Sequence, residues 1–312
     1  MNANLDRSSN VNHLHDAKAN SSTLPSVTVI GLGSMGSKLA GTFLHSGYAT
    51  TVWNRTPEKA AELVGLGASG ATEIADAIAA SPLLIICVLD YDAARHILEP
   101  MKEKLSGKVV VNLTTGTPEE ARTMGTWMRN HGAEYLDGGI MAVPSLIATP
   151  HAVILYSGSK TAYDNYKQVL DSLGTSHYLG SDPALAPLND LALLSGMYGM
   201  FGGFIHAVAL VGTEGVKALD FTTTLLMPFL QAMMSTMPEM AKQIDSGDYS
   251  AKDASLAMQA AHDTIGEVSR VQGVSPETFT PIFELMKRRV EDGHGGDDFA
   301  SVIELIRKRP SS

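Results

Sequence analysis

Three glycines at a strand-to-helix turn are the first residues in this chain whose spacing could do chemistry. Gly31-Leu32-Gly33-Ser34-Met35-Gly36 follows the apolar run Val27 to Ile30 and leads into a helical pattern, Met35 to Ser46. In such a turn the first glycine permits the tight bend, the second lets a diphosphate approach the backbone, and the third packs helix on strand. Unpaired N–H groups at the helix start then face the phosphates. The spacing predicts a dinucleotide held by Gly31, Leu32, Gly33, Ser34, Met35 and Gly36. The choice of dinucleotide falls to the residues after the second strand, Ala49 to Trp53. A carboxylate there would bond a ribose 2′-hydroxyl and repel a 2′-phosphate. This chain has Asn54-Arg55-Thr56, with Lys59 one turn on. Arg55 can make a charge-assisted bidentate phosphate contact, and Asn54 and Thr56 can add hydrogen bonds. NADP(H) is therefore expected over NAD(H).

Other chemistries find little support. No His/Cys/Asp cluster has metal-ligand spacing, so no metal is expected, and no Ser-His-Asp set stands out. The single cysteine, Cys87, excludes an intrachain disulfide and a Cys-rich zinc site. Its place within Leu83 to Leu89 predicts inert packing in a buried strand. Tyr91 and Asp92 follow that run, at an edge where ligands gather in open α/β sheets, and no role is assigned to them. The 33 acidic and 23 basic residues leave a net charge of −10, which argues against a general nucleic-acid binder. An apolar fraction of 44% with 18% charged residues is that of a folded globular chain.

The elements that must position these residues change character along the 312 residues. The first 25 read as a disordered tail without periodicity, and no role is assigned to His13 or His15. From 26 to 182, short apolar runs alternate with helical patterns. Thr56 is placed as N-cap of a helix opened by Pro57. Leu83 to Leu89 and Val109 to Leu113 read as strands buried on both faces. Thr117-Pro118-Glu119-Glu120 forms a capping box for a helix ended by Gly132. Ala152 to Tyr156 and Ser176 to Leu179 are late strands. This alternation predicts a parallel sheet covered on both faces. From 183 to 312 only helical patterns appear, over 183–216, 222–246, 251–271, 276–290 and 298–307. The fold class is α/β: an N-terminal Rossmann domain, a long interdomain helix and an all-α C-terminal domain. Leu191 to Gly212 is long enough to span a bilayer, but its glycines, the lack of a basic flank and the adjoining Asp190 favour a buried helix. No membrane association and a cytoplasmic location are expected.

Several stretches together resemble the β-hydroxyacid dehydrogenase superfamily: Gly31 to Gly36, Trp53-Asn54-Arg55-Thr56, Asn112-Leu113-Thr114-Thr115-Gly116-Thr117-Pro118 and Gly138-Gly139-Ile140-Met141-Ala142-Val143-Pro144-Ser145. Within it the chain resembles the imine reductases. The stretch from Asp190 through Tyr198 to Phe201 is similar to the fungal reductive aminases. The resemblance implies NADPH-dependent reduction of imines or iminium ions to amines, with reductive amination of a ketone or aldehyde by an amine as an extension. The related dehydrogenases carry a catalytic lysine near the start of the interdomain helix, then an Asn pair. Here Asp190 takes the lysine position, and Leu193 and Leu194 stand at the pair. An aspartate suits a cationic iminium better than an alcohol oxygen. Tyr198 matches a tyrosine that positions or protonates the substrate nitrogen. By the same resemblance Thr115 adjoins the cofactor, Met141 and Pro144 face the nicotinamide, and Phe229, Met258 and Gln259 line the substrate pocket. Phe229 replaces a usual tryptophan. Thr115 replaces the asparagine of efficient carbonyl–amine couplers, so imine reduction is the firmer expectation. A homodimer with interlocked helical domains, each active site drawing on both chains, is expected from the resemblance and from Gly196, Gly199 and Gly203 on one helix face. The competing readings are a hydroxyacid dehydrogenase and a non-catalytic NADP-binding protein.

Overall fold

A computed structural model describes residues 24–307. Most of the expected tail, with His13 and His15, lies outside the described residues, as do 308–312. The chain divides into two compact units, one running to Ala192 and the other from Leu193. The sequence places the change near Ser181-Asp182-Pro183, between the last strand and the start of the long helix.

The first unit is built on one eight-stranded sheet. Its strands are β1 (Val27–Ile30), β2 (Thr50–Trp53), β3 (Ser69–Gly70), β4 (Leu83–Ile86), β5 (Val109–Asn112), β6 (Glu134–Met141), β7 (Val153–Gly158) and β8 (Thr175–Tyr178). They lie in the order β3-β2-β1-β4-β5-β6-β7-β8. All neighbours are parallel except β6 and β7, which run antiparallel with Gly139 opposite Leu155, so the sheet is mixed where the alternation predicts a parallel one. The connecting helices are α1 (Ser34–His45), α2 (Ala61–Gly65), α3 (Ile74–Ala80), α4 (Tyr91–Leu98), α5 (Pro118–Asn130) and α6 (Lys160–Asp171).

The apolar runs of β1, β4 and β5 are continuous because successive residues enter different cores. Val27, Val29, Leu83, Ile85, Val109 and Val111 pack with Leu39 and Phe43 of α1. Ile30, Leu84, Ile86 and Val110 pack with Ile78, Met124 and Met128. This is the pattern of strands covered on both faces. Thr117 and Glu120 close the expected capping box on α5, and Gly132 follows that helix with a φ of +73°, which glycine adopts without strain.

Three local expectations need correction. The strand from Leu83 stops at Ile86 rather than Leu89. The rest of the run turns over the carboxyl edge of the sheet: Cys87 lies beyond the strand and is only partly buried, and Leu89 is 87% exposed. Thr56 holds the N-cap position, but its side chain makes no capping hydrogen bond, and Pro57–Ala60 is a 3-10 turn ahead of α2. β6 was not anticipated, because its Gly138-Gly139 pair has low strand propensity. Close approach requires both glycines: a Cβ on Gly138 would lie 2.6 Å from the Leu113 side chain, and one on Gly139 would lie 2.9 Å from Cβ of Asp190.

The long helix α7 (Leu185–Gly212) is tied down at its first turn. The Ser157 hydroxyl donates to the Pro183 carbonyl at 2.9 Å and accepts from the Ala186 N–H at 2.9 Å. Beyond it come α8 (Ala218–Phe221), a π-helical turn Thr222–Leu226, α9 (Met227–Met234), α10 (Met237–Ser246), α11 (Leu256–Ala260), α12 (Thr264–Val271), α13 (Thr280–Arg289) and α14 (Ile303–Ile306). The span 251–271 is two short helices instead of one, because Ser255 and Asp263 each cap a new start by accepting from Met258 N and Gly266 N. A small core of Leu256, Ala260, Phe283, Met286 and Val302 holds this unit together. Much apolar surface stays uncovered in a single chain, including Ile205, Met227 and Phe229.

Candidate functional site

The strand order reverses beside β1: the chain leaves β1 for β2 and β3, then crosses back to β4 on its other side. Ligands bind outside the carboxyl ends of the strands at such a switch point. A cavity of about 880 Å³ opens there, lined by Gly31 to Gly36 and by Asn54, Arg55, Thr56 and Lys59.

The three glycines differ in what surrounds them. Gly31 has a φ of +97°, and a Cβ on it would fall 2.2 Å from the Cys87 carbonyl oxygen. A Cβ on Gly36 would fall 2.0 Å from the carbonyl oxygen of Gly31. Around Gly33 the corresponding space is open, so a ligand can reach the backbone there. Gly33 is also the N-cap of α1 and provides no side-chain cap, which leaves the first N–H groups of the helix for an anion. The cradle fits a dinucleotide diphosphate.

Among the described residues no acidic side chain lines this cavity, and Arg55 and Lys59 supply positive charge. Asn54 lines it too, yet its amide is engaged with the protein: Oδ1 accepts from the Leu32 N–H at 2.9 Å and Nδ2 donates to the Thr56 carbonyl at 3.0 Å. Arg55→Ala is expected to weaken NADPH by about tenfold to a hundredfold while leaving NADH nearly unchanged. A charge-assisted hydrogen bond is worth roughly 1.5–3 kcal/mol. Fluorescence titration with both cofactors checks this, and an equal loss for both would place the 2′-phosphate elsewhere.

Residues that the sequence left aside also line the cavity. Cys87, Val88 and Leu89 come from the turn after β4, and Ala93, His96 and Ile97 from α4. The apolar run past Ile86 was the available signal, but it resembled a longer strand. Burial pushes the Cys87 thiol up to about 11, which keeps it protonated and unreactive. Thr115 is exposed on the turn after β5 and does not line this cavity.

Asp190 lies in the second turn of α7 and is 4% exposed. Gly139 of β6 backs it at van der Waals distance, as the 2.9 Å to a Cβ there requires. The carboxyl has no hydrogen-bond or ion-pair partner among the described residues, and burial raises its pKa above the ordinary aspartate value. Its position inside the helix excludes a capping role. Tyr198 is further along α7 and 67% exposed in a single chain. Met141 ends β6 and Pro144 opens the 3-10 turn that follows, both partly buried. In the second unit, Met258 and Gln259 line a separate cavity of about 570 Å³ with Phe279 and Phe283, and Phe229 on α9 is exposed. The structure thus gathers the cofactor residues other than Thr115 at one mouth and distributes the catalytic and substrate-pocket candidates over both units. Among the described residues no group of His, Cys, Asp and Glu could hold a metal ion.

Comparison with known proteins gives a consistent picture. Residues 26–180 match the family described as the NAD binding domain of 6-phosphogluconate dehydrogenase. Residues 182–308 match that described as NADPH-dependent reductive aminase-like, C-terminal domain. An NADPH-dependent reductive aminase of Aspergillus oryzae is 44% identical over 90% of this chain and 97% of its own length. A reductive aminase from Aspergillus terreus, solved with NADPH and ethyl levulinate, is 48% identical. It superposes with a TM-score of 0.86, covering 91% of this chain and all of that one. An imine reductase from Aspergillus terreus, solved with NADPH4 and dibenz[c,e]azepine, gives the same identity, coverage and TM-score.

Proposed function

The chain belongs to the family of NADPH-dependent reductive aminases and imine reductases, and from that premise we propose how its own residues divide the work. The protein is an NADP-dependent oxidoreductase acting on C=N bonds, reducing imines and iminium ions to amines. NADPH supplies the hydride when bound. The turn Gly31 to Gly36 holds its diphosphate on the start of α1, and Arg55 and Lys59, with Thr56, hold the 2′-phosphate.

Asp190 carries the reading. A buried carboxyl without a partner is costly to ionise, and a cationic iminium beside it offsets that cost by direct charge attraction in a poorly screened site. The aspartate thus favours the charged, more electrophilic form of the substrate. Tyr198 orients the substrate nitrogen and guides its proton. Met141 and Pro144 border the nicotinamide, and Phe229, Met258 and Gln259 shape the substrate walls. A screen of NADPH consumption against cyclic imines and ketone–amine pairs, and of NADP+ reduction with small 3-hydroxy acids, tests this. Turnover of cyclic imines is expected, with weaker carbonyl–amine coupling because Thr115 lacks an amide's two-ended hydrogen bonding. Turnover of hydroxy acids alone, or NADPH binding with no turnover, would overturn the reading.

The working form is a cytoplasmic homodimer. α7 is long and apolar enough to cross a membrane by length and composition, with a mean hydropathy of 1.5 and little of its apolar stretch buried in one chain. Gly196, Gly199 and Gly203 all face open space. An apolar surface of this extent needs a cover, and a second copy with close-packed helices provides one, completing each active site with residues of both chains. Light scattering at micromolar concentration is expected to give twice the mass of the chain. A monodisperse monomer with full activity would exclude the dimer, and co-flotation with lipid vesicles would put a bilayer in its place.

A further inference from the structure

Behind the cofactor cavity lies a buried polar cluster that the proposed mechanism does not use. Asp137 on β6 is 1% exposed. Its Oδ2 accepts from the Tyr91 hydroxyl on α4 at 2.6 Å and from the Tyr135 hydroxyl at 2.6 Å. Asn112 at the end of β5 donates to the Tyr135 oxygen at 3.3 Å. A buried carboxyl held by two phenols is expensive, and burial pushes it up to about 7 against the pull of the two hydroxyls.

The cluster touches the turn after β5 from two sides. The Tyr91 ring lies over Gly116, where a Cβ would fall 2.3 Å from a ring carbon. The Asn112 Oδ1 accepts from the Thr114 N–H at 3.2 Å. Thr114, 2% exposed, accepts on its hydroxyl from the Val88 N–H at 3.2 Å. Val88 lines the cofactor cavity. A series of hydrogen bonds therefore joins Asp137 through Tyr135, Asn112 and Thr114 to Val88 in the wall of the cofactor site, and Tyr91 packs on the same turn at Gly116.

We propose that Asp137 is a positioning residue for reduction, clamping Tyr91 and Tyr135 so that the turn Thr114-Thr115-Gly116 is held rigid and, through the Thr114 hydroxyl, fixes the Val88 stretch of the cofactor-site wall. The clamp rests on the imine-reducing function given above. It acts on the placement of the reacting end of the cofactor and leaves the diphosphate grip of Gly31 to Gly36 untouched. Loss of the clamp lowers turnover without loosening NADPH, because the turn samples more geometries while the anchor remains.

The test uses Tyr91→Phe, which keeps the ring and removes one hydroxyl, and Asp137→Asn, which keeps the shape. Each is expected to lower kcat on a cyclic imine roughly tenfold, with the NADPH dissociation constant within about threefold of wild type. In the cofactor-free protein, amide hydrogen exchange over 113–116 is expected to quicken about tenfold or more. The double variant is expected to be no worse than the poorer single one, since both break the same clamp. Turnover per NADPH-titrated site within twofold of wild type, with exchange unchanged, would overturn the proposal, as would a lowered melting temperature with both intact. If Asp137→Asn does not fold, Tyr91→Phe decides alone. If the wild-type protein binds NADPH but reduces no imine, the functional reading fails, and hydrogen exchange still decides on the clamp.

Discussion

Replacing Asp190 by asparagine is expected to lower kcat/KM for a cyclic imine by more than a hundredfold, with NADPH affinity little changed. Asparagine keeps the shape behind Gly139 and removes the charge that favours a cation. The expected loss corresponds to ~3 kcal/mol of transition-state stabilisation. It should be smallest for permanently charged iminium salts, which need no protonation. The raised pKa of Asp190 sets the pH dependence. Below that value the carboxyl is neutral and offers an iminium no charge, so wild-type kcat/KM on charged iminium salts should fall as pH drops through it. Asp190→Asn should lack that limb. Tyr198→Phe should cost less, because water can replace part of a proton transfer. Steady-state kinetics across pH, with NADPH titrated separately, check the set. Near-wild-type turnover in Asp190→Asn would remove the residue from the chemistry.

Gly36→Ala is expected to be severely damaging in the cofactor site. The added carbon would lie 2.0 Å from the Gly31 carbonyl oxygen, and what it meets is backbone, with no flexible side chain to step aside. Overpacking commonly costs about 1–3 kcal/mol, and this contact belongs at the upper end. The strand-to-helix turn must open, so NADPH affinity should fall more than about a hundredfold and the melting temperature by several degrees. Gly33→Ala provides the contrast. Its Cβ enters open space, so the fold should keep its melting temperature while the methyl occupies the ligand's approach. Scanning calorimetry and NADPH titration of both variants distinguish the two glycines. Equal melting temperatures for both would mean that the turn is softer than its geometry implies.

The glycine turn and the cavity beside it were almost wholly legible in the sequence, because they are local. A strand, three glycines and a helix start occupy ten consecutive residues, and Arg55 and Lys59 follow directly on the next strand. What it could not carry is contact between distant segments. Gly138 and Gly139 carry no strand signal of their own, and their role shows only when Leu113 and Asp190 are seen against them. Tyr91 followed an apolar run and looked like a ligand-edge residue, whereas its hydroxyl turns inward to a carboxyl 46 positions away. Cys87 read as strand interior because the apolar run does not stop where the pairing stops. Asp190 was legible by its place in a family pattern. Its burial and its lack of a partner were not, since both depend on β6 running beneath the first turns of α7.

Asn54 bears on any redesign of coenzyme preference. Its two amide ends join the glycine turn at Leu32 to the loop at Thr56, so the two stretches proposed to grip the dinucleotide are mechanically one part. The obvious way to retune the enzyme toward the cheaper, non-phosphorylated coenzyme is to install a carboxylate at the end of β2. At position 54 an aspartate could still accept from Leu32, but it would set a negative charge against the Thr56 carbonyl where a donor now stands. The same charge placed at 55 or 56 would leave the brace intact. Libraries aimed at this switch should therefore hold Asn54 constant and vary its neighbours.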